Sequence, residues 1–523
     1  MPTPVDAQLR SAAWERIQLV LRFAGDPGRV RLVQAAEPRD IVPPTRQWRE
    51  GDETVVRINP FIGPGLRPLA AGTWTLSDAD GAPLRVTAVD GSLPAAAAEK
   101  RLSLPVSAYV VRTAVDGAGR LTLDVEVDTR AAALVERDTG PVQRFWKRAR
   151  RWLWRIAFSV LRTLARNRPV ILFATRLNSR LTGNLESVHA RMVERGMDKD
   201  YRLVVVAKPD IGKPMTWRDR LRLLWGMAAA KVIFLDDSFY PVYWVDFPPD
   251  VRIIQLWHAA GAFKTVGYSR SASAGKPPFN PFGRVHKNTT HAIVSSDFDA
   301  PFYAEALGLP EDRLVPTGIP RMDRFFDPVA RDAALAKARR LLPQIAGHQV
   351  WLFAATYRGE KVSTASYDFD QLDLDALYAL AAEQDAVVLF KHHPFISHRI
   401  DVPEAYRDRL VEATDVPIDV NDLLFSVDLL ITDYSSIVFE YSVLNRPMVF
   451  FAYDLDEYIA ERDFYVPFDE FVPGPIVRTF AEMLDVIRRG ELQQDKVEAF
   501  AAKHFAHLDG QSTDRVIDLA LGR

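Results

Sequence analysis

The stretch LLITDYSSIVFEYSVL, residues 429–444, indicates the fold class of the C-terminal half of the chain. Its first four residues are apolar and typical of a buried strand, residues 433–436 form a polar turn, and the run from 437 onward is predicted to begin a helix. A buried strand that leads through a short turn into a helix is the repeating unit of a parallel α/β sheet. The same unit recurs along the chain.

Two series of apolar strands alternate with helical segments over the last two thirds of the sequence. The first series is predicted at 170–174, 203–207, 232–235, 253–257 and 292–295, and the second at 350–354, 386–390, 429–432 and 448–451. Strands that alternate with helices form parallel sheets through right-handed crossovers. We therefore predict two Rossmann-like lobes, residues 169–335 and 336–523, that face each other across a cleft.

Short alternating runs broken by turn residues distinguish the N-terminal part of the chain. They are residues 17–23 before Gly25-Asp26, residues 73–76 before a turn at 78–81, and residues 121–127 after Asp116-Gly117. Short strands separated by turns are typical of a sandwich or barrel. We predict a small all-β accessory domain over residues 1–140. It shows no group of residues suited to chemistry, and a binding or spacing role is as compatible with the sequence as any other.

Residues 141–168 form a basic segment that also contains tryptophan. The basic residues are Arg144, Lys147, Arg148, Arg150, Arg151, Arg155, Arg162, Arg166 and Arg168. The apolar residues that recur at helical spacing are Trp146, Leu153, Ile156, Val160 and Leu164. A basic amphipathic helix is typical of a protein that lies on an anionic membrane, so we predict contact with the inner face of the cytoplasmic membrane through residues 143–168. The alternative is a linker helix whose apolar stripe packs on a neighbouring domain.

Composition excludes several classes of protein. A chain of 523 residues is too long for one core, and a net charge of −2 excludes a globally basic nucleic-acid-binding protein. The absence of cysteine excludes disulfides and thiolate metal sites. Residues 1–26 do not resemble a signal peptide, and no uncharged apolar stretch reaches the roughly 20 residues that a spanning helix needs. We expect a cytoplasmic, peripherally membrane-associated protein without metal or cofactor.

A histidine at the end of a predicted strand is the first candidate catalytic residue. His258 follows a buried apolar run and precedes a turn of small residues, 259–262. Histidine accepts protons near neutral pH, so a histidine in the cleft suits a general base that deprotonates an attacking hydroxyl. A lone histidine is otherwise a structural residue, and the small-residue turn favours catalysis here.

The region around His258 is basic. No acidic residue occurs between Val251 and Ser296, whereas the basic residues there are Arg252, Lys264, Arg270, Lys276, Arg284 and Lys287. Gly, Pro and Ser punctuate residues 261–283, which predicts a long, mobile loop. A cluster of positive charges attracts a polyanion, so Lys264 and Arg270 are predicted to bind an anionic acceptor. A solvated loop without a ligand is the alternative, although such a loop usually carries both signs.

Two loops of the second predicted lobe carry groups suited to phosphate. Arg358 and Lys391 each follow a predicted strand and are predicted partners of phosphate oxygens. His393, fixed by Pro394, is a candidate donor to a phosphate or leaving-group oxygen. His392 is the alternative for that role and is otherwise a structural neighbour.

The polar turn before the helix at 437 supplies further candidates for binding a donor. Ser435 and Ser436 place hydroxyls and free backbone N–H groups at a helix start, which suits a phosphate. Thr432 and Asp433 complete this predicted loop. Glu440, about one turn into the helix, is a candidate for holding ribose hydroxyls or a solvent-facing residue. A simple N-cap without a ligand is the alternative.

Five motifs stand in an order that is found in a known family. They are Trp257-His258 with Lys264, Thr356-Tyr357-Arg358, Lys391-x-His393-Pro394, Thr432-Asp433-Tyr434-Ser435-Ser436 and Asp454-Leu455-Asp456-Glu457-Tyr458. In this order they resemble the CDP-glycerol:poly(glycerophosphate) glycerophosphotransferases of teichoic acid synthesis. Each motif alone is weak, whereas five in one order are specific. The resemblance runs from about residue 169 to the C-terminus.

The resemblance implies a fold, an activity and a set of site residues. The implied fold is GT-B, and the implied enzyme transfers glycerol phosphate from CDP-glycerol to a hydroxyl of a membrane-linked polyol-phosphate polymer, releasing CMP. The family's catalytic histidines fall on His258 and His393. Its contacts to the donor pyrophosphate fall on Arg358, Ser435 and Ser436.

Departures from the family pattern leave the donor and the acceptor open. Many members have Trp-His-Gly followed by a Pro-Leu-Lys step where this chain has residues 259–264, and that position faces the acceptor. Ribitol-phosphate transferases share these motifs, so CDP-ribitol is an alternative donor. Two further interpretations are a GT-B enzyme that uses a nucleotide sugar and a non-catalytic polymer-binding protein of the same fold.

Overall fold

The computed structural model describes residues 4–35, 41–42, 46–60, 62, 68–88, 95–103, 108–128, 141–165, 169–207, 215–270, 285–359, 364–396 and 398–523. The strands are β1 Val5–Glu15, β2 Gln18–Ala24, β3 Arg31–Gln34, β4 Ile41–Val42, β5 Arg46–Glu50, β6 Glu53–Ile58, β7 Gly72–Ser77, β8 Leu84–Ala88, β9 Glu99–Ser103, β10 Ala108–Val115, β11 Leu121–Asp128, β12 Val170–Thr175, β13 Arg202–Ala207, β14 Ala230–Leu235, β15 Arg252–Gln255, β16 His291–Ile293, β17 Leu314–Val315, β18 Gln349–Phe353, β19 Ala386–Phe390, β20 Leu410–Glu412, β21 Leu429–Thr432, β22 Met448–Phe451 and β23 Ile476–Val477.

The α-helices are α1 Ala95–Ala98, α2 Pro141–Ala165, α3 Gly183–Glu194, α4 Trp217–Ala229, α5 Tyr240–Tyr243, α6 Ala300–Leu307, α7 Pro328–Leu341, α8 Leu374–Glu383, α9 Val420–Leu424, α10 Ile437–Ser442, α11 Leu455–Glu461, α12 Phe468–Phe471, α13 Phe480–Arg489, α14 Gln494–His504 and α15 Ser512–Leu521. Short 3₁₀ segments lie at Gly267–Ser269, Glu311–Arg313, Pro320–Phe326, Pro343–Ile345, Phe369–Gln371 and Glu404–Tyr406.

The first eleven strands form two sheets that share one apolar core. The strand orders are β5-β6-β2-β1-β8 and β4-β3-β7-β11-β10-β9, and neighbours run antiparallel except for β1 and β8. Inward residues alternate with outward ones along β1, as expected for strands with one buried face. Leu9 and Leu21 of one sheet and Trp74 and Leu123 of the other lie in this core.

The remaining strands form two six-stranded sheets in which every neighbouring pair runs parallel. Their orders are β13-β12-β14-β15-β16-β17 and β20-β19-β18-β21-β22-β23. In each sheet the chain starts in the interior and then adds strands on both sides. The order reverses between β12 and β14 in the first sheet and between β18 and β21 in the second. Such reversal points are where parallel α/β sheets bind ligands.

All nine strands predicted for these two sheets are present, with ends that shift by at most a few residues. Three further strands were not predicted: β17, β20 and β23. Each has two or three residues and lies at the edge of its sheet. Runs this short carry no periodic signal, so pairing with a neighbour is what makes them strands.

Helix α2 packs one face on the first parallel sheet and leaves the opposite face exposed. Phe158 and Ala165 are buried beside Leu172 of β12, and the ring of Phe158 lies 5.2 Å from that of Phe247. The apolar residues predicted to form the stripe of this helix lie on its exposed face: Trp146, Leu153, Ile156, Val160 and Leu164. Among the described residues, no helix combines the length and apolar character that crossing a membrane requires.

The C-terminal helices join the two parallel sheets. Helix α15 returns to α3, where Arg191 donates two hydrogen bonds of 2.9 and 2.8 Å to the carboxylate of Asp514. The ring of Phe263, in the loop after β15, stacks on Phe471 of α12 with centroids 4.3 Å apart. The loop that follows β15 is therefore held by elements that come after the second sheet.

Candidate active site

The two parallel sheets place their carboxyl-terminal strand ends around one cleft of about 700 Å³. The first sheet contributes residues that follow β12, β14 and β15, and the second contributes residues that follow β18, β19 and β21. The lining polar residues include Asn178, Thr182, Asn184, Asp236, His258, Arg321, Lys391, His393, Ser435, Ser436 and Glu440. The reversal points of both sheets thus open into the same cavity.

His258 is exposed in this cleft and held in one orientation. Its Nδ1 lies 3.3 Å from the backbone carbonyl of Asp236, which only accepts hydrogen bonds, so Nδ1 carries the proton. The imidazole stacks on Trp257 with ring centroids 4.5 Å apart. Trp257 has a φ of 52°, a strained conformation for a bulky residue and one that clusters at functional sites. This tautomer leaves the Nε2 lone pair for a proton from a ligand.

The small-residue turn after His258 is required by packing. A Cβ on Gly261 would overlap the ring of Phe439 in α10. Tyr303 donates from its hydroxyl to the Gly261 carbonyl at 2.9 Å, and the Ala262 N–H donates to Asp299 at 3.0 Å. The loop that carries His258 is therefore fixed against the helix that carries the serine pair.

His393 faces the cleft from the second sheet. Its Nδ1 accepts a hydrogen bond of 3.2 Å from the Phe395 N–H, so the neutral ring carries its proton on Nε2 and is a hydrogen-bond donor. Partial burial lowers the pKa of His393. His392 is instead buried among aromatic rings, including that of Phe369 at 4.8 Å, and burial lowers its pKa to about 4. The geometry therefore favours His393 over His392 as the residue that contacts a ligand.

Ser435 and Ser436 lie in the cleft at the start of α10. Ser436 is the N-cap residue of α10 and is exposed. The Ser435 hydroxyl accepts a long hydrogen bond, 3.4 Å, from the Ile437 N–H. Both serines line the cavity that His258 and His393 also line.

Three predicted donor-binding residues brace the loops and do not line the cleft. Arg358 binds the Asp454 carboxylate through two hydrogen bonds of 2.6 and 2.8 Å and binds Asp433 at 2.8 Å. Burial opposes its charge, but these carboxylates outweigh burial and raise the pKa of Arg358. Asp433 also accepts from the Thr356 N–H, and the buried Thr432 hydroxyl donates to the Ala354 carbonyl at 2.7 Å. In this structure the three side chains are engaged by this internal network, and their contact with the donor stays a prediction.

Lys391 lines the cleft, but its ammonium group is already occupied. Its Nζ donates to the carbonyls of Ala413, Thr414 and Val416 at 3.0, 3.2 and 3.0 Å. These three carbonyls take up the three N–H bonds of the ammonium group in this structure, and the contact of Lys391 with a donor phosphate stays a prediction. Burial lowers the pKa of Lys391. Its role in this structure is to hold the 413–416 loop at the edge of the cleft.

The predicted acceptor-binding residues lie outside the cleft lining. The Lys264 ammonium lies over the ring of Tyr458 at 5.2 Å, and burial lowers the pKa of Lys264 to about 8. Arg270 follows the 3₁₀ segment Gly267–Ser269. Lys276 and Arg284, with the rest of the predicted basic loop at 271–284, lie outside the described residues.

Comparison with known proteins decides the family. The model of the CDP-Glycerol:Poly(glycerophosphate) glycerophosphotransferase family matches residues 156–522. The chain belongs to this family. The match begins inside α2 and includes both parallel sheets, α15 and every residue that lines the cleft.

Two curated relatives of this glycerophosphotransferase-family chain are named for ribitol phosphate. The chain is 41% identical over 370 residues to the teichoic acid ribitol-phosphate polymerase TarK of Staphylococcus aureus, covering 71% of this chain and 72% of TarK. It is 36% identical over 388 residues to the teichoic acid poly(ribitol-phosphate) polymerase of Bacillus spizizenii, covering 74% of this chain and 62% of the relative. The matched part therefore falls short of two thirds of the Bacillus protein.

A solved structure shares the fold of this family member. The wall teichoic acid polymerase TagF superposes with a TM-score of 0.58 over 73% of this chain and 98% of the TagF chain, at 21% sequence identity. At this identity the likeness shows the fold alone.

Two cleft residues of this family member, Arg321 and Asp236, were not predicted from sequence. Arg321 forms an ion pair with Glu440, which was predicted to hold ribose, and also donates to the His258 carbonyl at 3.3 Å. Asp236 lines the cleft beside His258. Asp236 could have been found, because it directly follows a predicted strand. Arg321 follows β17, which was too short to predict.

Proposed function

We propose that this chain transfers an alditol phosphate from a CDP-linked donor to a hydroxyl of an anionic polyol-phosphate polymer. One observation carries the proposal: a proton-accepting histidine, a proton-donating histidine and a pair of serines line one cleft between two parallel sheets. These residues are His258, His393, Ser435 and Ser436. Membership of the glycerophosphotransferase family supports the reaction class.

In the proposed reaction, His258 Nε2 takes the proton from the acceptor hydroxyl as its oxygen attacks the alditol-bearing phosphorus in line. The bond from that phosphorus to the bridging oxygen breaks, and CMP leaves with the electron pair. Ser435 and Ser436 bind the pyrophosphate, and the Nε2–H of His393 stabilises the charge on the leaving phosphate. Proton transfer by a positioned histidine contributes roughly 10²–10⁴-fold to the rate.

The proposal also specifies which alditol the CDP-linked donor carries. The family description names glycerol phosphate, whereas the relatives that are 41% and 36% identical are named as ribitol-phosphate polymerases. We therefore rank CDP-ribitol ahead of CDP-glycerol.

The proposed fold is GT-B, with residues 169–335 as the acceptor-side lobe and 336–523 as the donor-side lobe. The two parallel sheets around one cleft and the likeness to TagF support this division. Helix α15 is the exception, since it packs back on α3. Residues 1–140 form an accessory all-β domain in this proposal, supported by the two N-terminal sheets and their common core.

The proposed location is the inner face of the cytoplasmic membrane, with α2 lying on the lipid surface. Arg148 and Arg151 are exposed next to the exposed apolar face of α2. Trp217 and Leu221 on the neighbouring helix α4 are exposed as well, which extends the apolar surface beyond α2. Exposed tryptophan and leucine flanked by arginine are typical of helices at an anionic interface.

The acceptor contacts in this proposal differ from those predicted by sequence. Arg270 remains a proposed contact of the anionic polymer. Lys264 does not, because its ammonium group is buried over the ring of Tyr458.

Donor profiling tests the proposal. The purified chain is incubated with a polyol-phosphate acceptor and, separately, CDP-ribitol, CDP-glycerol or a UDP-sugar, and nucleotide release is measured. We expect CMP release with a CDP-alditol, fastest with CDP-ribitol, and none of UDP. UDP release instead would identify a glycosyltransferase, and no release from any donor would identify a binding protein; either result rejects the proposal.

A further inference from the structure

The carboxylate of Asp236 is the least satisfied polar group beside the proposed base. Its side chain is 6% exposed and lines the cleft. Oδ2 accepts a hydrogen bond of 2.8 Å from the Thr175 hydroxyl, whereas Oδ1 is buried without a hydrogen-bond partner among the described residues. An unmade hydrogen bond to a buried charged group is costly, so such an oxygen in a cleft marks a place for a ligand donor.

Nearby positive charge does not satisfy this carboxylate. Arg176 forms its ion pair with the next residue, Asp237, at 2.7 Å. The guanidinium of Arg321, also in the cleft, is paired with Glu440. Burial, with a smaller contribution from the Asp237 charge, raises the pKa of Asp236 to about 6. Among the described residues the Asp236 carboxylate therefore has a hydroxyl donor but no ion pair, which buried carboxylates usually have.

The position of Asp236 ties it to the reacting hydroxyl. The backbone carbonyl of Asp236 accepts the Nδ1–H of His258. The Asp236 side chain and the His258 imidazole therefore lie close together in the wall of the cleft. The polar cleft residues that follow β12 and β14 carry amide, hydroxyl and carboxylate groups: Asn178, Thr182, Asn184 and Asp236. The Asn178 amide donates to the Thr182 hydroxyl at 2.9 Å. These groups suit hydroxyls. A carboxylate without a cationic partner repels phosphate, so the phosphate of the donor is expected away from Asp236, at the serines.

We propose that Asp236 Oδ1 accepts a hydrogen bond from the hydroxyl next to the attacking one on the terminal alditol of the acceptor. This inference rests on the proposed function and names a specificity residue for it. Two adjacent hydroxyls would then be recognised together, one by His258 and its neighbour by Asp236. The contact selects a vicinal diol over a simple alcohol, because an acceptor without the second hydroxyl leaves Oδ1 unsatisfied.

Acceptor binding tests this contact without requiring turnover. Calorimetry would measure the affinity of a soluble polyol-phosphate oligomer and of the same oligomer deoxygenated beside its terminal hydroxyl, for the wild type and Asp236→Ala. We expect the deoxygenated oligomer to bind the wild type about 10–100-fold more weakly, as for a lost hydrogen bond to a charged group. Asp236→Ala should bind both oligomers equally, at the weaker affinity.

Two controls separate a direct contact from a structural effect. Asp236→Asn keeps an oxygen acceptor and should retain part of the discrimination. Asp198→Asn makes the same change at an exposed carboxylate outside the cleft lining and should behave as wild type. The contact is rejected if Asp236→Ala still binds the intact oligomer more tightly than the deoxygenated one, as the wild type does. It is also rejected if Asp236→Ala weakens binding of the CDP-alditol as much as binding of the intact oligomer. If the wild type released no CMP but still bound the intact oligomer more tightly than the deoxygenated one, the proposed reaction would be rejected and the Asp236 contact would stand.

Discussion

The guanidinium of Arg358 shows how a residue can match a family motif and yet not face the ligand cleft. It is shared between Asp433 and Asp454 and lies within about 5.5 Å of four tyrosine rings. Asp454 is 96 residues away in sequence, so residue type and strand-end position alone do not reveal the pairing. Lys391 is similar, because the carbonyls that bind its ammonium belong to a distant loop.

Replacing Arg358 should therefore lower the stability of the fold more than it weakens donor binding. Arg358→Ala leaves the buried Asp433 and the half-buried Asp454 without their guanidinium partner, which costs about 3–5 kcal/mol of unfolding free energy. Denaturant unfolding would measure it. The control is Arg478→Ala, whose partner Asp456 is highly exposed and 3.4 Å away, and which should cost about 0–1 kcal/mol. If Arg358→Ala were as stable as the wild type but bound the donor more weakly, a direct contact between Arg358 and the donor would be supported instead.

Loops at strand ends carry the candidate chemistry, and their placement could be predicted from periodicity. Buried runs such as 386–390 and 429–432 match β19 and β21, so the residues after them were expected in the cleft. His258, His393, Ser435 and Ser436 all line it. Edge strands of two or three residues could not be predicted, and Arg321, which follows one of them, was missed for that reason.

The turn after His258 should tolerate no added side chain. Gly261→Ala would force its methyl group into the ring of Phe439, which displaces the loop that holds His258 or α10. We expect a loss of about 1–3 kcal/mol in unfolding free energy, as for overpacked cores, and a fall in CMP release. Gly117→Ala is the control, because no atom lies within 4 Å of the added carbon. Equal stability and activity in both variants would contradict this packing role.

Long-range contacts set how the parts of the molecule fit together, and sequence did not reveal them. Glu305 of α6 is 0% exposed and pairs with Arg16 at 2.8 Å, and it also accepts a hydrogen bond from Gln18. Tyr268 inserts into the core of the N-terminal sheets. The sequence predicted N-terminal strands correctly at several positions, but a buried acid that binds an arginine 289 residues away leaves no local pattern.

The exposed face of α2 should control association of the whole molecule with lipid. Val160→Asp introduces charge into this face, and we expect cosedimentation with vesicles containing anionic phospholipid to fall several-fold without loss of stability. Val160 is 55% exposed. Val329→Asp makes the same change at a 76% exposed position on α7 and should bind as wild type. Binding should also weaken at high salt. Equal vesicle binding by both variants would contradict the proposed orientation.

The most direct test of the proposed chemistry separates binding from turnover at His258. His258→Ala removes the proton acceptor but leaves the serine pair intact, whereas Ser436→Ala removes a proposed phosphate contact. Calorimetry with the preferred CDP-alditol and an assay of CMP release would be run on both. We predict that His258→Ala loses at least about 100-fold in kcat with unchanged donor affinity, and that Ser436→Ala weakens donor affinity. Wild-type turnover in His258→Ala would contradict the account.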